Sequence, residues 1–163
     1  MDNSKRKTRH FVYNMLFIIY IALLIYFLFF SDTFGRTTAY DEYRYNLQPF
    51  AEIKRYITRV RDTDYLMFII NIVGNVALFI PFGFLFPLMT GKNREKLILM
   101  FLATFIVTVT SCFIIETIQL LTKVGVFDVD DIIMNACGSV LGYIIYAILV
   151  KCRMIKIQRR RAA

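Results

Sequence analysis

Four apolar stretches dominate this sequence, and each is long enough to cross a lipid bilayer: Phe11 to Phe30, Tyr65 to Met89, Leu97 to Leu121 and Ile132 to Val150. About 20 apolar residues in helical form span a hydrocarbon core, and Glu116 is the one charged residue inside any of the four. Hydrocarbon offers the backbone no water to bond, so such a segment must close its own hydrogen bonds as a helix. The composition agrees, with 58% hydrophobic residues and a mean hydropathy of +0.55, more apolar surface than the core of a water-soluble domain of this size requires. The sequence therefore predicts an all-α membrane protein. Its fold is a four-transmembrane-helix bundle in a single domain over residues 1–163, with helices at about 11–30, 65–89, 97–121 and 132–150, a loop at 31–64 and a basic tail at 151–163.

Lys5, Arg6, Lys7 and Arg9 precede the first stretch, as they would in a signal peptide. Its apolar run exceeds the roughly 7 to 15 residues of a signal core, and no small-x-small cleavage site follows, so it is expected to stay attached. With the N-terminus in the cytoplasm, thirteen of the 20 Lys and Arg residues fall on that side of the spans. The positive-inside rule then places both termini in the cytoplasm and the 31–64 loop outside the cell membrane. The net charge of +8 is distributed as anchors at helix ends and not on one folded face, which points to a bilayer partner and away from nucleic acid. Cys112 and Cys137 lie inside spans and Cys152 just beyond one, a placement that builds neither a disulfide framework nor a thiolate metal site.

Polar residues inside hydrocarbon are costly, about 2.5 to 3.5 kcal/mol for an Asp at a helix centre, so each needs a reason. In this arrangement they share the outer end. Asn71 and Asn75 stand an i, i+4 pair apart on the second helix, roughly 9 and 15 Å below its start. Ser111, Glu116 and Gln119 fall in the last turns of the third. Asp128, Asp131, Asn135, Gly138 and Gly142 follow spacings of 3, 4, 3 and 4, one face of the fourth helix, with Asp130 beside them. Asp128 also suits a helix N-cap with acidic residues behind it in the first turn. Gly138 and Gly142 form a Gly-x-x-x-Gly pair that admits a neighbouring helix.

Pro81 is expected to bend the second helix and Pro87 to help end it, with Gly83 easing packing nearby. A faint repeat relates Asn71, Gly74 and Val76 to Asn135, Gly138 and Val140, 64 residues on, as a duplicated hairpin with helices two and four in the same sense would show. In the long loop, Tyr40, Tyr43 and Tyr45 suit the headgroup zone. After Pro49, an apolar stripe of Phe50, Ile53, Ile57 and Val60 flanked by Lys54, Arg55, Arg59 and Arg61 predicts an amphipathic interfacial helix. Arg44, just before it, is the cation best placed to meet the acidic cluster.

His10, the single histidine, lies at the cytoplasmic end, which removes Ser-His-Asp and Cys-His catalysis and imidazole-bound zinc from the outer side. There is no phosphate-cradling glycine motif. Carboxylate and amide oxygens remain. Glu116, Asp128, Asp130, Asp131, Asn75 and Asn135 offer ligands for a hard divalent cation, for sugar hydroxyls or for an ammonium group, with Glu116, Asp128 and Asp131 the candidates for a metal or for acid–base chemistry.

The segment from Arg44 to Phe50 reads Arg-Tyr-Asn-Leu-Gln-Pro-Phe. The second helix carries Asn-Ile-Val-Gly-Asn from Asn71 to Asn75 and Phe-Ile-Pro-Phe-Gly from Phe79 to Gly83. Ser111 with Glu116 and Gln119 follows, then Phe-Asp-Val-Asp-Asp from Phe127 to Asp131, with Asn135, Gly138 and Gly142. This ordered set resembles the pattern of VanZ-like membrane proteins and extends from about Arg44 to Tyr143. The resemblance implies a small membrane protein of Gram-positive bacteria, of a family in which some members lower susceptibility to teicoplanin and related lipoglycopeptides. Three functions follow as alternatives. In the first, the outer pocket (Arg44, Asn71, Asn75, Ser111, Glu116, Gln119, Asp128, Asp130, Asp131 and Asn135) binds an envelope lipid, a lipid-linked cell-wall precursor or the drug without catalysis. In the second, carboxylates transform a lipid-linked substrate, with or without a divalent cation. In the third, the chain is a structural partner subunit.

Overall fold

The structure, a computed structural model, describes residues 3–30, 41–51, 54, 65–90 and 96–162. Its elements are α1 (Asn3–Phe30), β1 (Tyr45–Asn46), α2 (Tyr65–Thr90), α3 (Leu97–Thr122), β2 (Phe127–Asp128) and α4 (Val129–Ala162). All four helices are long and apolar enough to cross a membrane, and together they make the all-α bundle expected from the apolar stretches. α4 begins at Val129 and stays helical through Ala162, so residues 151–162 continue the fourth span as helix.

α2 and α4 form the centre. A Cβ on Gly138 would stand 2.1 Å from the Val76 carbonyl oxygen, one on Gly142 2.0 Å from that of Ile80, and one on Gly83 1.8 Å from that of Ser139. Backbone therefore lies directly on backbone, which three missing side chains permit and which supplies the close packing that joins helices where both sides are already apolar. The contacts advance from Val76 to Ile80 as they advance from Gly138 to Gly142, so α2 and α4 run parallel, in the sense the internal repeat implies.

α1 and α3 pack against this pair. Leu24 and Leu28 of α1 are buried with Phe79 and Phe82 of α2, and the Phe17 ring lies 5.7 Å from that of Phe82. Pro81 has no N–H to give the preceding turn. One turn back, the Leu78 carbonyl accepts a hydrogen bond from the Tyr20 hydroxyl at 2.8 Å. Pro87 does not end α2: the helix continues to Thr90, whose hydroxyl donates to the carbonyls of Phe86 and Pro87 at 3.2 Å each. α3 buries Met100, Thr104, Thr108, Cys112, Glu116 and Gln119, a row at four-residue steps as far as Glu116 and a three-residue step to Gln119 that rides up one helix face. Thr104 and Thr108 bond back to the carbonyls of Met100 and Thr104 at 2.8 Å, which satisfies hydroxyls that water cannot reach.

Lys123 closes α3 in the left-handed conformation (φ 57°), its N–H donating to the Leu120 carbonyl. This turn delivers β2 directly onto α4. β1 and β2 pair in parallel, Tyr45 with Phe127 and Asn46 with Asp128, a two-residue ladder that apolar periodicity cannot show because its partners are far apart in the chain. Of the interfacial helix expected after Pro49, Ala51 and Lys54 are helical and Lys54 N–H donates to the Phe50 carbonyl at 2.8 Å. Its other residues, including Ile53, Arg55, Ile57, Arg59, Val60 and Arg61, lie outside the described residues.

Candidate functional site

The polar residues gather at the end of the bundle where α1 and α3 finish and α2 and α4 begin. The N-terminus of α4 organises them. Its first N–H groups have no carbonyl within the helix to bond, and the aligned peptide dipoles leave partial positive charge there. Four carboxylates answer it. Asp128 accepts from the Asp130 N–H at 2.8 Å, a capping bond that leaves the same carboxylate accepting from Asn46 Nδ2 at 3.2 Å on both oxygens. Glu116, reaching across from α3, accepts from the Asp128 N–H at 3.1 Å. Asp130 accepts from the Phe50 N–H. Asp131 accepts from Asn75 Nδ2 at 2.7 Å.

These bonds tie distant parts of the chain to one helix end. Asn46 also folds its own segment, its Oδ1 accepting from the Gln48 N–H at 3.2 Å, and the Arg44 carbonyl accepts from the Phe127 N–H at 3.0 Å. Phe50 has φ 63°, a conformation unfavourable for a side chain of its size, and the Asp130 carboxylate holds its N–H. Nearby, Lys123 reaches over the loop, with its ammonium 5.1 Å from the Tyr43 ring centre and donating to the Asp41 carbonyl at 2.7 Å.

Below the carboxylates a polar seam continues between α3 and α4. Asn135 lies against the Cys112 thiol, and the hydroxyls of Thr108 and Ser139 are 2.7 Å apart. Gln119 Nε2 donates to the Leu28 carbonyl at 3.0 Å and so fastens the end of α1. Asn75, Glu116, Gln119, Asp130, Asn135 and Ser139 are all at most 2% exposed. Two buried acceptors, Gln119 Oε1 and Asn135 Oδ1, have no hydrogen-bond partner among the described residues. The seam and the cluster above it are thus rich in oxygen acceptors.

The VanZ/LLP1 family profile matches residues 17–150, from within α1 to within α4, and takes in this whole cluster. The chain belongs to the VanZ/LLP1 family. No curated protein sequence and no solved structure matches it.

In this VanZ/LLP1 protein the residues singled out in the sequence divide into three groups. Glu116, Asp128, Asp130, Asp131 and Asn75 meet at the α4 N-terminus through the bonds above. Gln119 and Asn135 sit just below. Asn71 and Ser111 stand further out, Asn71 half-buried one turn before Asn75 and Ser111 half-buried beside the wholly buried Cys112, while Arg44, exposed at the foot of β1, is joined to Phe127 through its carbonyl. Thr108 and Ser139 occupy the inner positions, and Asn46 the loop position, that sequence reading does not assign to the VanZ/LLP1 site. Their signals were present: Thr104, Thr108, Cys112 and Glu116 repeat at four-residue steps, and Asn46 lies within the Arg44 to Phe50 motif. Among the described residues, no three histidine, cysteine or acidic side chains come together so as to hold a metal ion.

Proposed function

We propose that this VanZ/LLP1 protein lies in the cell membrane with both termini in the cytoplasm, and that its carboxylate and amide end binds the polar head of an envelope lipid, a lipid-linked wall precursor or a lipoglycopeptide. Through that binding it contributes to teicoplanin resistance or to envelope homeostasis in a Gram-positive cell. The observation that carries the reading is the surplus of buried acceptors, above all Gln119 Oε1 and Asn135 Oδ1. A buried acceptor left without a donor costs about 1–3 kcal/mol, and a head group bearing hydroxyls or an ammonium brings such donors. Intramembrane ionisable residues are functional candidates by default, and the commitment of Glu116, Asp128 and Asp131 to named donors favours binding over proton transfer.

The test uses Glu116→Gln combined with Asp131→Asn. Each amide keeps an oxygen for its partner, the Asp128 N–H or the Asn75 amide, so the framework survives while two charges disappear. Teicoplanin sensitivity is expected to rise at unchanged membrane abundance; unchanged sensitivity overturns the reading. Orientation is tested with a cysteine at the exposed Tyr43 in a chain freed of its native cysteines. Labelling of intact cells by a membrane-impermeant maleimide is expected, and labelling confined to lysed cells would invert the topology.

A further inference from the structure

Away from the polar end, α1 and α2 separate along a groove of about 310 Å³, lined by Tyr20, Leu24 and Phe27 on one side and Gly74, Ala77 and Pro81 on the other. The small residues of α2 make the space, and Pro81 lines the end away from the polar cluster. The one polar group on these walls is already used, since the Tyr20 hydroxyl bonds the Leu78 carbonyl at 2.8 Å. Both walls belong to membrane spans. The groove covers eight residues of α2, from Gly74 to Pro81, a rise of roughly 10 Å, and its volume is at the low end of ligand pockets, about 300 to 1,000 Å³. A single hydrocarbon chain suits those dimensions.

The upper end decides what the chain is attached to. Gly74 precedes Asn75, whose amide bonds Asp131 at 2.7 Å, and Leu28, one residue beyond Phe27, gives its carbonyl to Gln119. An amphiphile seated with its chain between Phe27 and Gly74 therefore has its head at the level of the acceptor cluster. We infer that the α1–α2 groove holds one acyl chain of a membrane lipid whose head group carries hydrogen-bond donors, placing those donors at the carboxylate and amide end. The inference deepens the proposed binding function and, for its head group, rests on it.

The experiment exploits the absence of tryptophan from the sequence. The full chain carrying Phe27→Trp is reconstituted in phosphatidylcholine vesicles containing rising fractions of chain-brominated phosphatidylethanolamine, whose ammonium donates where choline cannot. Ile118→Trp, exposed to lipid and next to Gln119 at the same depth, is the control for random encounter. The groove tryptophan is expected to reach half-quenching at a roughly tenfold lower fraction of brominated lipid than the control, a preference of about 1.4 kcal/mol, and Ala77→Phe is expected to abolish the difference. Equal quenching at the two positions overturns the groove, whatever the drug-sensitivity test shows. Preferential quenching that is the same with brominated phosphatidylcholine overturns the link to the acceptor cluster, and with it the head-group part of the proposed function, while leaving the chain site in place.

Discussion

Asp130 shows how much one side chain carries at this helix end. It is fully buried and accepts from the N–H of Phe50, a residue held at φ 63°. Asp130→Ala strands that N–H and releases the turn, a loss of about 1–3 kcal/mol, whereas Asp130→Asn retains an acceptor. Thermal unfolding in detergent is expected to separate the two variants, with faster proteolysis within residues 41–51 for the alanine form alone; identical melting of both would refute this role for the carboxylate. Gln119 gives the opposite expectation. Its amide makes one bond to the Leu28 carbonyl but leaves Oε1 unpartnered, so Gln119→Leu removes an unsatisfied oxygen while taking that donor from the Leu28 carbonyl, two effects of opposite sign. Stability should change by less than about 1 kcal/mol, and a larger loss measured by the same melt would mean that the oxygen is bonded in the membrane. The acids themselves were legible in the sequence, because charge in an apolar run is conspicuous. Thr108, Ser139 and Asn46 stood out less, since a threonine that bonds back to its own helix, a serine within a span and an asparagine in a loop are ordinary wherever they occur.

At the scale of elements, the α2–α4 contact depends on three glycines. In an isolated helix Gly→Ala stabilises by roughly 0.5–1 kcal/mol. Here a methyl group on Gly138 would meet the Val76 carbonyl oxygen at 2.1 Å, and that atom is backbone that cannot swing aside. Gly83→Ala, Gly138→Ala and Gly142→Ala are therefore each expected to destabilise, by about 1–3 kcal/mol or more as overpacked sites do, with less folded protein recovered from membranes. The sign is the test: a Gly138→Ala chain that melts above the wild type would show that the helices are not in backbone contact. The Gly-x-x-x-Gly spacing announces such a contact. The identity of the partner, α2, comes from the fold.

The molecule as a whole is graded from a tight centre to a looser flank. The fourth span is the most buried and the first the least. α1 is attached by the aromatic packing around Phe17 and Phe82 and by the Tyr20 and Gln119 hydrogen bonds to backbone carbonyls. Local opening follows contact density, so hydrogen exchange in detergent should release α1 amides before those of α4 between Asn135 and Tyr146. Equal protection along both helices would contradict the grading. A flank that opens more readily also agrees with a groove placed between α1 and α2.

The number of spans, their helical state and the collection of polar residues at one end are properties of the sequence itself. Each depends on how a stretch of about 20 residues compares with the thickness and chemistry of hydrocarbon, and that comparison needs no partner. The tertiary structure decided the rest. It chose which donor each carboxylate holds, ran α2 and α4 side by side in parallel, and laid Asn46 against Asp128 across 82 positions of chain. Those choices depend on distances between residues remote in sequence, which hydropathy and spacing along a single helix do not encode.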